Sequence, residues 1–288
     1  FLNRRCRWSE RSAKTCGHFS YQTVTSLALR KDEDVIDSVA HPDRHVSLET
    51  AHNFRDLGGY PTRDGRVTRW GVAYRADALY SLNEADWSVL RKRNVRHVID
   101  LRSEMELETR GRLSDDLEGI TVHHFPVLDI PWADADTPDV DTAYEFLMWA
   151  YPEMIAAGGH RLAAAVETVA MVDDPIVFHC AAGKDRTGLV AMLILGSLGV
   201  PDDVIVADFE LSNDGLARLR KWAESNDSNL MTRLGNAPAA FLDADGRALA
   251  DLMTTWSKDH GSIRNFARHL GVSDEALLRL EARLVTTR

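Results

Sequence analysis

One junction constrains the fold of this chain more than any other part of it. Pro175-Ile176-Val177-Phe178 is a short apolar run, and Leu189 to Leu195 is an unbroken apolar heptad. Between them lie ten residues dominated by small side chains: His179-Cys180-Ala181-Ala182-Gly183-Lys184-Asp185-Arg186-Thr187-Gly188. The first run has the length of a buried strand, and the second reads as a buried helix. A strand that enters a helix through a tight loop turns several backbone N–H groups into one concavity. It also aims the positive end of the helix dipole there. Such a concavity holds an anion and stabilises a thiolate.

The residue types in the loop then specify chemistry. Cysteine thiols ordinarily titrate near 8.5, and a helix N-terminus with nearby cations lowers that to roughly 3.5–7.5. This setting predicts a nucleophilic thiolate at Cys180. Arg186 closes the far end of the loop, where its planar fork can take two phosphate oxygens and the charge that develops on them. Ala181, Ala182 and Gly183 keep the loop narrow enough for backbone amides to reach those oxygens. Thr187 is placed to donate its hydroxyl to the Cys180 sulfur, and His179 to brace the loop. Lys184, beside Arg186, suits a substrate with more negative charge than a single phosphotyrosine, or else pairs with an acidic neighbour.

The decapeptide resembles the signature loop of the cysteine-dependent tyrosine and dual-specificity phosphatases, His-Cys-x-x-Gly-x-x-Arg-Thr/Ser. Its Gly-Lys-Asp-Arg-Thr-Gly ending is most similar to the atypical bacterial and fungal branch. Asn53-Phe-Arg-Asp-Leu-Gly-Gly-Tyr60, Val98-Ile-Asp-Leu-Arg-Ser-Glu104 and the closing segment Phe266 to Leu280 resemble further landmarks of that branch, in family order over about residues 45–285. The resemblance implies hydrolysis of phosphotyrosine through a phosphocysteine, without metal or cofactor, with phosphoserine, phosphothreonine and phosphoinositides as further substrates. Three aspartates compete as the proton donor to the leaving oxygen. Asp185 sits inside the loop, where some lipid-directed relatives carry the acid. Asp129 follows Phe125-Pro126-Val127-Leu128, a context similar to the separate acid loop of dual-specificity enzymes. Asp100 ends the Asp-Leu-Arg-Ser strand, where pairing with Arg102 competes with catalysis; Arg55 and Arg102 either add positive potential at the mouth or are satisfied by Asp56 and Asp100. Two other classes share a tight anion-binding loop: a phosphate-recognising module without turnover, and a rhodanese-like sulfurtransferase. The intact cysteine, glycine, arginine and threonine favour the enzyme over the first, and the Gly-x-x-Arg-Thr-Gly ending favours phosphate over persulfide chemistry.

Composition narrows the partners. The 288 residues carry a formal charge of −10, yet residues 1–30 hold +5, leaving −15 on the rest. An acidic body disfavours nucleic acid, which rewards broad positive surface. No apolar run approaches the length of a membrane span. Cys6, Cys16 and Cys180 make neither a disulfide framework nor a metal pattern. Residues 1–30 contain no secretory apolar core, so the chain is expected in the cytoplasm, with secretion left open because the native N-terminus is not evident.

The expected architecture is a basic, poorly ordered arm over residues 1–44. A single α/β domain follows over 45–288, with a mainly parallel sheet flanked by helices and a helical insertion before the signature strand. Strands are expected at Val67 to Tyr74, Val95 to Leu101 and Ile120 to Val127. A helix is expected to start with a Ser81–Glu84 capping box, and another to cover Thr142 to Ala157, with a solvated acidic loop over 129–141 before it. The segment 129–160 is a candidate lid, and 201–260 reads as helices.

Overall fold

The central four-residue strands are buried on both faces, which sets the sheet between helical layers. A computed structural model describes residues 38–113, 117–129 and 137–287. Its strands are β1 (Arg55–Asp56), β2 (Val67–Thr68), β3 (Ala73–Ala76), β4 (His97–Asp100), β5 (Thr121–His124), β6 (Ile176–His179) and β7 (Val285–Thr286). The main sheet has the order β1-β3-β6-β4-β5, with β1 antiparallel to β3 and the other pairs parallel. Tyr74, Val177 and Val98 stand in register and face one side, while Ile99 and Phe178 face the other. A parallel sheet buried on both faces needs helices on both.

Helix α1 (Glu84–Lys92) covers the first face with Trp87 and Leu90. The second face packs against α3 (Ala143–Met171) and α4 (Asp185–Ser197). Helix α2 (Glu104–Arg110) follows β4, and α5 (Asp202–Asn226), α6 (Ser228–Asn236) and α7 (Ala239–Leu242) follow α4. Helices α8 (Gly246–His260), α9 (Ile263–Leu270) and α10 (Asp274–Leu284) close the chain. Residues Leu189 to Leu195 of α4 are 0–1 % exposed. At about 1.5–3 kcal/mol for each large apolar side chain buried, this run anchors the loop that precedes it.

Several expectations are corrected. The strand expected over Val67–Tyr74 is two strands, broken where Gly71 takes φ +76°. The first helix is capped by Asn83, whose side chain accepts from Asp86 N–H, rather than by Ser81. Leu82 N–H closes a turn onto Leu79, so Ser81 lies within that turn and the helix starts after it. Helix α3 runs on to Met171 rather than ending at Ala157. The body also reaches back before residue 45. Arg44 is buried, donates to the carbonyls of Ser38, Val39, Asp56 and Gly58, and lies 3.7 Å from the Tyr60 ring centre. The rest of the expected arm, with Cys6 and Cys16, and residues 130–136 of the acidic loop lie outside the described residues.

Candidate active site

The site is built at the carboxyl ends of β3, β6 and β4, where the sheet hands over to loops. Cys180 follows β6 directly, and the loop passes through Lys184 into the first turn of α4. The loop's carbonyls are drawn outward by named donors. Ala78 N–H bonds the Ala181 carbonyl at 3.2 Å, and Asn53 Nδ2 bonds that of Ala182 at 3.0 Å. Arg75 Nη2 takes the carbonyls of Gly183 and Lys184 at 2.8 and 3.3 Å. Because each peptide is planar and trans, a carbonyl turned outward turns the following N–H inward. Residues 182–185 thus direct their amides at the concavity over Cys180. Gly183 has φ +67°, and a Cβ there would lie 2.5 Å from the Ala76 carbonyl oxygen, so only glycine fits.

Arg75 is itself held from behind. It lies fully buried in β3 with its Nη1 2.6 Å from Asp208 Oδ2, and Arg55 Nε is 2.9 Å from the other oxygen of that carboxylate. Burial alone would raise the Asp208 pKa, but the Arg55 and Arg75 charges drive it far down. Arg55 is therefore satisfied by Asp208 rather than by Asp56, which instead accepts the N–H groups of Gly58 and Gly71.

Arg186 is aimed by a residue that the sequence reading did not single out. Glu106 of α2 takes both terminal nitrogens of the guanidinium, at 2.5 and 2.9 Å. Burial opposes the Arg186 charge, but the bonds and charge of Glu106 outweigh it and raise the guanidinium pKa. Burial likewise penalises the Glu106 carboxylate; Arg186 and the Ser103 N–H reverse this, and Glu106 titrates at about 2. Glu106 is also the third residue of α2 in a capping box with Ser103, the one feature through which the sequence could have flagged it.

The three acid candidates occupy different settings. Asp100 is buried; despite the burial penalty, His179 and the Arg102 guanidinium lower it to about 2. Arg102 grips it through Nε and Nη2, the latter at 2.6 Å, which leaves Asp100 an ion partner. Asp129 is exposed and makes no hydrogen bond or ion pair among the described residues. Asp185 opens α4 beside the loop, and its Oδ1 accepts the Tyr151 hydroxyl at 3.0 Å. His179 is buried, its Nδ1 3.2 Å from the Cys180 carbonyl oxygen and its Nε2 3.6 Å from Asp100 Oδ2, a position that braces the loop; burial lowers its pKa and the Asp100 charge opposes this. Thr187 Oγ1 is buried and makes no hydrogen bond among the described residues, to Cys180 Sγ included.

Lys184 differs from the expectation of a substrate contact. It is 1 % exposed, and its ammonium donates to the carbonyls of Phe241 at 2.6 Å and Asp243 at 3.0 Å, with Asp185 Oδ1 at 3.5 Å. It ties the loop to α7. Above the loop lies a cavity of about 300 Å³ whose lining includes Ala181 and Ala182. Arg102, Arg110 and Arg233 supply its cations, and Trp222, Phe241 and Leu242 an apolar wall. Asp77 also lines it, bonded to the N–H groups of His52 and Asn53; burial raises its pKa to about 6. No sequence signal pointed to Asp77.

A cysteine and an arginine around inward-facing amides, between a parallel strand and a helix, define the class of α/β phosphatases with a phosphate-binding loop. The chain matches the model of the tyrosine phosphatase family over residues 46–286 and belongs to that family, in its atypical bacterial branch. It is 31% identical over 277 residues to the triple specificity protein phosphatase PtpB of Mycobacterium tuberculosis, covering 83% of this chain and 98% of the relative. A Cupriavidus necator protein with a provisional tyrosine-protein phosphatase name is 31% identical over 249 residues, covering 82% of this chain and 88% of its own length. Among solved structures, P. aeruginosa TpbA in complex with pTyr matches with 13% identity and a TM-score of 0.31 over 69% of this chain and 99% of its own. No helix among the described residues is long and apolar enough to cross a membrane.

Proposed function

We propose that this phosphatase hydrolyses phosphotyrosine through a phosphocysteine on Cys180, with Asp185 as the proton donor. The observation that carries the reading is the loop itself, with four consecutive carbonyls tied outward and Arg186 clamped by Glu106 at its end. A phosphate dianion over Cys180 would meet inward amides, the α4 dipole and the guanidinium together. The Cys180 thiolate attacks phosphorus, forming the S–P bond as the ester P–O bond breaks. Asp185 gives its proton to the departing oxygen. Water then attacks phosphorus and passes a proton to the Asp185 carboxylate, while the S–P bond breaks and inorganic phosphate leaves. Amides preorganised around the reacting oxygens supply the electrostatic stabilisation.

The cavity supports an aromatic ester as the preferred substrate. Arg110 and Arg233 are exposed at a site whose wall carries Trp222, Phe241 and Leu242, so one substrate can offer negative charge and a flat apolar surface together. Phosphoserine, phosphothreonine and phosphoinositides stand as further substrates on the same reading, and PtpB bears the name of a triple specificity phosphatase. Lys184 is assigned to the loop's own architecture. The test is phosphate release from a phosphotyrosine peptide, a phosphothreonine peptide and soluble phosphoinositides, with chelator present and Cys180→Ser alongside. Release that is fastest from phosphotyrosine and abolished by Cys180→Ser is expected. Turnover that survives in Cys180→Ser, or none by the reduced wild type on any substrate, contradicts the reading.

A further inference from the structure

Tyr151 lies in α3, fully buried, with its ring edge-on to Phe209 at 6.3 Å. A buried phenol that packs as core gains nothing from its hydroxyl unless the oxygen finds a partner; without one, phenylalanine would serve better. Here the partner is Asp185 Oδ1, and this is the single hydrogen bond that the Tyr151 hydroxyl makes among the described residues. Burial, and then Asp185 itself, hold the hydroxyl well above its ordinary pKa, so it stays a donor.

The consequence concerns which carboxyl oxygen carries the proton. Lys184 Nζ lies 3.5 Å from the same Oδ1, so two donors address one oxygen of Asp185. No hydrogen bond or ion pair to Oδ2 occurs among the described residues. An oxygen that already accepts from donors is a poor place for a proton, so the neutral acid holds its proton on Oδ2. Lys184 is shared with the carbonyls of Phe241 and Asp243, whereas Tyr151 is directed to Asp185 alone.

We infer that Tyr151 is a positioning residue that fixes the rotamer of Asp185 and confines its transferable proton to Oδ2. The inference rests on the reading of Asp185 as the general acid. Tyr151 itself touches neither substrate nor the reacting atoms. The charged and titratable groups around the pair are Lys184 and Arg186 of the loop and α4, Cys180 after β6, and Arg75 of β3.

The experiment is a leaving-group series of aryl phosphates, with one alkyl phosphate, run on wild type, Tyr151→Phe, Asp185→Asn and Phe209→Leu. A good leaving group departs without a proton, and a basic one does not. Tyr151→Phe is expected to lower kcat/KM about twofold for 4-nitrophenyl phosphate and about tenfold or more for the most basic leaving groups, steepening the leaving-group plot. Asp185→Asn should steepen it further. Phe209→Leu removes the packing partner and keeps the hydrogen bond, so it should lower the melting temperature and leave the slope as in wild type. A Tyr151→Phe plot parallel to wild type, whether lowered or not, overturns the inference and leaves Asp185 as the acid. An Asp185→Asn plot parallel to wild type overturns the acid assignment and the Tyr151 role with it.

Discussion

At the residue scale, the site depends on side chains spent on orienting others. Glu106 touches no loop backbone, yet it sets where the Arg186 fork lies. Removing one member of a buried ion pair costs about 3–5 kcal/mol, because the other is left charged and unmatched. Glu106→Gln retains one acceptor and should therefore destabilise by about 3 kcal/mol at neutral pH and cut kcat/KM sharply. The pH dependence has a definite sign. Glu106 falls from 4.5 to about 2 on folding, so its contribution is complete above the unfolded value and is lost as pH drops through about 2. Denaturant titrations of both proteins should show a stability gap that is constant from pH 7 to about 5.5 and narrows steadily below about 4.5. A gap that stays constant down to pH 3 contradicts this account of the pair. The chain displayed Cys180, Arg186 and Asp185 openly, because their chemistry is local to one loop. Glu106, Asn53 and Arg75 were not legible as loop supports. Their contacts with it span 80, 129 and 108 residues of sequence, and no local pattern encodes a partner at that distance.

At the scale of elements, β6 and α4 were located by the runs Ile176–Phe178 and Leu189–Leu195, which are buried on all sides and carry no polar residue. Helix starts were harder to place. Ser81-x-x-Glu84 and Asn83-x-x-Asp86 overlap, and the turn that Leu82 closes onto Leu79 decides in favour of Asn83. The destination of Lys184 was beyond reach for a similar reason, since α7 lies 57 residues further along the chain. That contact gives α7 a definite energetic role. Its four residues are too few to be stable as an isolated helix, and they are held by Lys184 below and by Phe241 stacked on Phe146 at 4.1 Å. Lys184→Met keeps the volume and deletes the donor. Hydrogen bonds from a charged donor contribute about 1.5–3 kcal/mol each, so backbone amides around α7 should exchange at least tenfold faster in this variant. Unchanged protection there would show that Phe241 alone secures the segment.

At the scale of the whole molecule, the topology brings three strand ends, β3, β6 and β4, to one place in an otherwise acidic protein. The net charge of −10 repels polyanions in general, while Arg186 and the inward amides admit one phosphate group. Layer order and a mainly parallel sheet were legible because helical and strand patterns alternate along the chain. The split of Val67–Tyr74 was not, because Gly71 breaks the strand within a sequence that still alternates. In the proposed mechanism Cys180 Sγ carries the phosphoryl group between the two steps. The direct measurement is rapid acid quench after mixing the reduced wild-type protein with a phosphotyrosine peptide, followed by peptide mass spectrometry. One phosphoryl group, located on Cys180 by fragmentation of its peptide, rising to a steady level during turnover and absent from Cys180→Ser, is the predicted result. Phosphate release at full rate with no phosphoryl group on that peptide, or with the group on His179, would contradict it.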